Sequence, residues 1–353
     1  MKARAHETSR LWRPPEFVAR YVIRRLLTMV VLMFVLSAIT FSLFFLVPKV
    51  IGVDIGDAYA PKNASPETQK QVKIKLGLDK PILVQYERFL KGLFVGRDYN
   101  AGPSVNHCPA PCLGYSFTNE EPVLGLLKDR LPVTASLAIG AATLWLTFGV
   151  ATGVLSALRR GTIFDRSAMT VALAGVSLPV YFTGLVALSL FTFGPKWLRF
   201  FPDVGYASFK ANPFTWATHL MLPWVCLAFV YSALYARLTR GSMLDTLGED
   251  YIRTARAKGL SERRVIGKHG LRAALTPIVT IFGLDLGGLL GGAVLTEVVF
   301  SLPGVGKLSI DAITTNDLPV ILGTVLLAAL FIIVSNLLVD VLYAFLDPKV
   351  TYS

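Results

Sequence analysis

The sequence predicts an all-α polytopic membrane protein: six transmembrane helices, with an external segment between the first two. Three observations predict it. Hydrophobic residues make up 53% of the 353 residues and charged residues only 16%, where a soluble chain carries about a quarter charged. The apolar residues are gathered into six long runs, and a helix crossing the ~30 Å hydrocarbon layer needs roughly 20 such residues at about 1.5 Å each. Basic residues crowd alternate connections between those runs. Within lipid every backbone N–H and C=O must be bonded inside its own segment, so the runs read as helices. The short alternating segments of a β-barrel are absent from the sequence.

The first run, Leu26 to Val47, is closed by Pro48. It is too long for a signal-peptide core and no small-x-small site follows it, so it reads as a true span. The second is Val133 to Leu158, followed by Arg159 and Arg160. The third, Ser167 to Gly194, carries Pro179 inside it, and the fourth, Phe214 to Ala236, is closed by Arg237. The fifth, Ala273 to Val299, contains Asp285 and Glu297; the sixth, Val320 to Leu346, is free of charge until Asp340. The organisation read from this is a basic N-terminus over 1–25, a first span over 26–48 and an external segment over 49–132. A five-helix core over 133–346 follows, with a cytoplasmic loop over 241–275, and a tail over 347–353.

The formal charge of +12 is placed with respect to the spans. Lys2, Arg4, Arg10, Arg13, Arg20, Arg24 and Arg25 precede the first, and Arg159, Arg160 and Arg166 fill the second connection. Arg237, Arg240, Arg253, Arg256, Lys258, Arg263, Arg264, Lys268 and Arg272 fill the fourth. With six spans these lie on one side, and the positive-inside bias makes that side, with both termini, cytoplasmic. Such placement argues against a nucleic-acid surface.

In the external segment, Ser65 to Leu76 has a plausible N-cap, Pro66 at the first position and Gly77 as a stop, which predicts a helix. Pro81 to Phe94 is a second, with Leu83, Tyr86, Leu90 and Leu93 on one face. Gly96 to Asn119 reads as an irregular loop. It holds Cys108 and Cys112, for which a disulfide is favoured outside the cytoplasm. Free thiols, or a metal site that adds His107, are the alternatives, and three donors are one short of a closed zinc site. Cys226, inside the fourth span, reads as a small packing residue.

In the fifth span Gly283, Gly287 and Gly291 recur at i, i+4 and i+8 on one helix face. They allow close helix packing, and Gly287 and Gly291 are also candidates for widening a solute path. Glu297 and Asp340 lie near helix ends, within reach of interfacial water or backbone. Asp285 lies deeper and is the candidate for a wet path that contacts a cationic group.

The fourth connection contains Asp250-Tyr-Ile-Arg-Thr-Ala-Arg-Ala-Lys258-Gly259-Leu-Ser261. Asp250 reads as an N-cap and Gly259 as the residue beyond the C-cap, so Tyr251 to Lys258 predicts a helix of two turns. A helix that short is marginal alone and needs a partner surface. Ala255, Ala257 and Gly259 are small enough for close docking, and Arg253, Arg256 and Lys258 could pair with acidic groups. A basic stretch lying on anionic headgroups is the alternative. Ser261 would cap a longer helix running into the fifth span at Pro277.

This loop resembles the "EAA" coupling loop of ABC-transporter permease subunits, in the form found in dipeptide and oligopeptide importers. Ala255 and Gly259 match the alanine and glycine of that loop, while Arg253 and Thr254 depart from its general Glu-Ala. The likeness extends along the chain. Tyr21-Val-Ile-Arg-Arg-Leu-Leu27 is similar to the opening of the family. Leu76-Gly-Leu-Asp-Lys-Pro81 with Val84-Gln-Tyr86 is similar to its first external segment, and Arg130-Leu-Pro132 to the start of its second span. Glu297-Val-Val-Phe-Ser-Leu-Pro-Gly-Val-Gly306 and Asp347-Pro348 are similar to its fifth-span exit and its ending. The stretch from Cys108 to Cys112 has no counterpart in the general pattern.

The resemblance implies a type I importer-like transmembrane domain in a bacterial cytoplasmic membrane. Its implied partners are a second homologous permease, two ATP-binding subunits and an extracytoplasmic peptide-binding protein. It implies that Asp250, Tyr251, Arg253, Thr254, Ala255, Arg256, Lys258 and Gly259 form the ATPase-coupling element. ATP and Mg would be held by the partner ATPases, with no cofactor in this chain. A permease of the same family for nickel or another small solute is the near alternative. A self-sufficient ion-coupled carrier would show matching broken halves, which this sequence lacks.

Motifs for chemistry are missing from the sequence. Ser301-Leu-Pro-Gly-Val-Gly306-Lys307-Leu308 is nearest to a P-loop, but Ser301 replaces the first glycine and Leu308 the Ser or Thr. Gly304 and Gly306 instead predict a tight turn before a short helix through Ile310 and Ile313. No nucleophile elbow and no H-E-x-x-H pair occurs, and His6, His107, His219 and His269 are scattered. The sequence therefore predicts no catalytic and no metal residues.

Overall fold

The computed structural model describes residues 15–52, 65, 67, 70, 73–74, 77–99 and 105–346. Lys2, Arg4, Arg10 and Arg13, most of the Ser65 to Leu76 helix, and Asp347-Pro348 with the tail over 347–353 lie outside the described residues.

Helix α1, Pro15–Phe41, continues through a π-turn at Ser42–Leu46 into a last turn at Val47–Val50, so it passes Pro48 instead of ending there. Val47 N–H bonds back to the Ser42 carbonyl. That i→i+5 step shifts the ladder just where Pro48 lacks a donor. Helix α2 spans Ile82–Val95. It packs Tyr86, Phe89 and Leu90 with Phe41 and Phe45 of α1. Leu83, expected on that face, is 77% exposed, and Phe89 takes its place.

The stretch expected to be irregular, Gly96 to Asn119, together with the residues just after it, contains two short antiparallel pairs. β1 (Arg97–Tyr99) pairs with β2 (Asn106–Cys108), and β3 (Tyr115–Ser116) with β4 (Glu121–Pro122). Strands of two or three residues are too short for alternation to mark them in a sequence. Cys108 and Cys112 are joined by a disulfide with a Cα–Cα distance of 5.5 Å, and both are buried.

Helix α3 covers Val123–Leu158 and starts well before Val133, so Arg130-Leu-Pro132 lies inside it. Pro132 leaves the Lys128 carbonyl without its i+4 donor, and both residues are exposed. The third run is no straight rod. α4 (Ile163–Ser177) and α5 (Val180–Phe191) meet at 102°. Pro179 has no N–H and drives Leu178 to an extended φ −92, ψ 127.

Helix α6, Pro213–Gly248, overruns Arg237 and carries the fourth run into the polar loop, capped by the Asn212 side chain. α7 is Asp250–Ala257. α8, Glu262–Ala274, bends by 47° into α9, Thr276–Leu290. The fifth run ends there as a helix. Gly292 at φ +134 breaks it before α10, Val294–Val299. α11 is Val305–Thr314 and α12 Leu318–Leu346.

Four of these helices are long and apolar enough to cross a membrane, and six spans result when each bent pair counts as one. The core lies between α3 and α6, where Leu137, Trp145, Leu220 and Tyr235 are fully buried. Glycines on α3 permit that approach: a Cβ on Gly149 would lie 2.9 Å from the Cβ of Tyr235, and one on Gly153 2.6 Å from the Ala236 carbonyl.

Candidate functional site: the cytoplasmic loop and the buried carboxylates

α7 is held by one face. Ile252 and Ala255, three apart, are 0% and 8% exposed and pack with Val265, Leu247 and Leu260. Ala255, expected to dock onto a partner, thus turns into its own chain. Its small side chain lets α7 lie on α8. The other predicted residues, Asp250, Tyr251, Arg253, Thr254, Arg256, Lys258 and Gly259, are all exposed. Asp250 belongs to the first turn, and Glu249 takes the N-cap position without a side-chain bond. Gly259 has φ +75, a left-handed conformation that ends the helix.

Side chains on this surface are ordered by local pairs. Arg253 reaches Asp250 at 3.3 Å, Thr254 Oγ1 donates to the Asp250 carbonyl at 2.9 Å, and Arg256 Nε donates to Glu262 at 2.8 Å. The Arg256–Glu262 pair links α7 to α8. Exposed pairs of this kind add little stability, but they fix the outline of the face.

Behind the loop lies an ion pair that the sequence did not flag. Asp165 of α4 is 3% exposed. It accepts from Arg240 Nε at 2.6 Å and Nη2 at 2.9 Å, from Ser156 Oγ at 2.5 Å and from the Gly161 N–H at 2.8 Å. The end of α3, the turn after it, α4 and the lower part of α6 thus meet on one carboxylate. A single Asp among Arg159, Arg160 and Arg166 was the available signal.

Glu297, placed near a helix end by the sequence, is fully buried. It accepts from Thr134 Oγ1 at 2.8 Å and from the Lys307 N–H at 2.9 Å, while Thr134 Oγ1 accepts from the Val305 N–H at 2.8 Å. The carboxylate therefore sits at the N-terminus of α11, where free N–H groups favour an anion. Gly304 is needed for room, since a Cβ there would lie 2.4 Å from the Glu297 Cδ. Asp340 pairs with Arg25 of α1 at 2.8 Å.

Asp285 is half-buried on α9 and accepts from the Tyr235 hydroxyl of α6 at 2.8 Å. Gly283, Gly287 and Gly291 all face α12. Added Cβ atoms would meet Val339 Cγ2 at 1.9 Å, Ser335 Oγ at 2.7 Å and the Ala328 Cβ at 2.7 Å. Cys226 is buried and free. Among the described residues no group of three or more His, Cys, Asp or Glu is arranged to hold a metal ion.

Residues 149–352 match the family model described as binding-protein-dependent transport system inner membrane component. Residues 18–138 match the model for the N-terminal part of the membrane component of such systems. The chain belongs to this permease family. The di/tripeptide transport system permease protein DppB of Pseudomonas aeruginosa (strain UCBPP-PA14) is 37% identical over 349 residues, covering 94% of this permease and 98% of that relative. The dipeptide transport system permease protein DppB of Escherichia coli (strain K12) is 36% identical over 356 residues, covering 94% and 99%. Among solved structures, a chain of the MetNI methionine ABC transporter in an inward-facing conformation aligns with TM-score 0.47 at 17% identity, over 64% of this permease and 97% of that chain. This permease is an inner-membrane subunit of an ABC importer, a class that works with ATPase and binding-protein partners.

Proposed function

We propose that this permease forms half of a path for short peptides and takes its drive from a cytoplasmic ATPase seated on α7. The peptide assignment is supported by the two relatives named above as di/tripeptide and dipeptide permeases. One observation carries the coupling role: α7 is anchored through Ile252 and Ala255 and offers every remaining predicted coupling residue to the outside. A two-turn helix so mounted moves as a rigid body with the helices beneath it. α6 extends from the membrane into the loop and is clamped to α4 through Arg240 and Asp165, so a push on α7 is delivered to two helices together. ATP in the partner then biases a two-state equilibrium of the bundle.

The working complex in this reading has a second homologous permease, two ATP-binding subunits that hold ATP and Mg, and an external peptide-binding protein. Both termini and α7 are cytoplasmic. The chain performs no chemistry itself. Asp285, with Tyr235, borders the path at mid-membrane, and Gly287 and Gly291 set the position of α9 beside it.

The test uses exposed positions, because enlarging Ala255 would disturb the chain's own packing. In the assembled transporter, Thr254→Trp with Lys258→Glu is expected to abolish peptide-dependent ATP hydrolysis and to release the ATPase on purification, while the permease still inserts. Unchanged coupling in that variant sinks the docking role of α7.

A further inference from the structure

At the end of the bundle opposite α7 a cavity of about 780 Å³ opens between the first turns of α3, the 206–210 connection and the start of α6. Its volume falls in the range of small-molecule sites, roughly 300–1,000 Å³. One wall is aromatic. Phe209, Trp216 and Trp224 stand edge to face, with ring centroids 5.0 Å apart for the first pair and 5.1 Å for the second. The wall is set before any ligand arrives. Trp224 Nε1 donates to the Ser136 carbonyl at 3.0 Å and Trp216 Nε1 to the Ser136 Oγ at 3.4 Å. Gly140 makes the seat for Trp224, since a Cβ there would lie 2.1 Å from the indole. Both indole N–H groups are satisfied, so what the wall offers is ring surface, which accepts varied side chains.

The rim carries opposite charges. Asp129 and Lys128 come from α3 and Lys210 from the connection. Among the described residues none of these three side chains has a hydrogen-bond or ion-pair partner. All three are exposed at the rim, so each side chain is free to reach a ligand lying against the apolar rings. A ligand with an ammonium at one end, a carboxylate at the other and variable side chains between satisfies all three features. We propose that this cavity receives a short peptide with free termini. Asp129 takes the ammonium, Lys210 or Lys128 the carboxylate, and the Phe209–Trp216–Trp224 wall the side chains. This rests on the peptide reading above and supplies an outer station on the path.

The test is photo-crosslinking on the assembled transporter in proteoliposomes with its binding protein. The probe is the tripeptide Ala-(benzoylphenylalanine)-Ala, with uptake of the same probe measured in parallel. Label is expected on the stretch from Tyr206 to Trp224. Asp129→Asn and Lys210→Gln should each cut it about tenfold, the loss of one charged hydrogen bond, and the N-acetyl, C-amide form of the probe should not compete. Uptake with label confined to other regions overturns the cavity and leaves the peptide reading standing. Absence of uptake for the probe and for unmodified di- and tripeptides overturns the peptide reading itself. Crosslinks from Phe209 positions to the binding protein, with none to the peptide, would make this a docking face for that protein and refute the proposal.

Discussion

Glu297 is surrounded by donors that have nowhere else to go. Thr134 Oγ1 and the Lys307 N–H both point at it, and the site is closed to water. Each hydrogen bond to a charged group contributes about 1.5–3 kcal/mol, and a buried donor left alone costs about as much again as its lost hydration. Glu297→Ala is therefore expected to destabilise the chain by roughly 3 kcal/mol or more, and Glu297→Gln, which keeps one acceptor oxygen, by less. Thermal unfolding of the purified complex checks the order. Melting points equal to that of the unsubstituted chain in both variants would show that the carboxylate is not what holds α10, α11 and α3 together. Asp165 follows the same logic at the other end of the bundle, with Arg240, Ser156 and Gly161 as its donors. Asp285 differs, because among the described residues Tyr235 alone donates to its side chain. In the proposed reading, a solute in the path would meet that spare acceptor capacity.

Between α9 and α12 the contact is made by glycine on one side. A Cβ on Gly291 would lie 2.8 Å from the Ala328 Cα, which is backbone and has little room to yield, whereas one on Gly288 meets nothing within 4 Å. Gly291→Val should lower the melting point of the complex, as overpacking commonly does by about 1–3 kcal/mol, and Gly288→Val should be tolerated. Size-exclusion profiles and melting points of the two variants test this, and a Gly288→Val chain that melts as low as Gly291→Val would mean that the seam has been placed on the wrong face. The glycine spacing that marks this seam was legible in the sequence, as were the apolar runs and the α7 segment, because each is written in residues close together. Bends and partners were not. The 102° turn at Pro179 depends on what surrounds an extended Leu178, and a proline elsewhere, Pro132, stays within a helix. Thr134 and Glu297 are 163 positions apart, and nothing near either announces the other. Ala255 was legible as a contact residue, but the side of α7 it faces is set by α8.

The whole molecule turns on whether the α4–α5 pair crosses the membrane. If it crosses, the connection after α3 and the α7 loop lie on one side, and the loop before α6 lies on the other. If the pair re-enters, Arg160 and Asp203 share a side and α6 carries the α7 loop outward. The second arrangement would place nine basic residues, Arg237, Arg240, Arg253, Arg256, Lys258, Arg263, Arg264, Lys268 and Arg272, on the external face, against the positive-inside bias. It would also part α7 from any cytoplasmic ATPase. Crossing is therefore the expected topology. Arg160→Cys, Asp203→Cys and Ser261→Cys, each in a Cys226→Ala background, put single thiols at exposed positions while Cys108 and Cys112 stay bonded to each other. With a membrane-impermeant maleimide on intact cells, Asp203→Cys should label, and Arg160→Cys and Ser261→Cys should label only after permeabilisation. Arg160→Cys and Asp203→Cys labelling together from either side would establish a re-entrant pair, reverse α6, and remove the physical basis for seating an ATPase on α7.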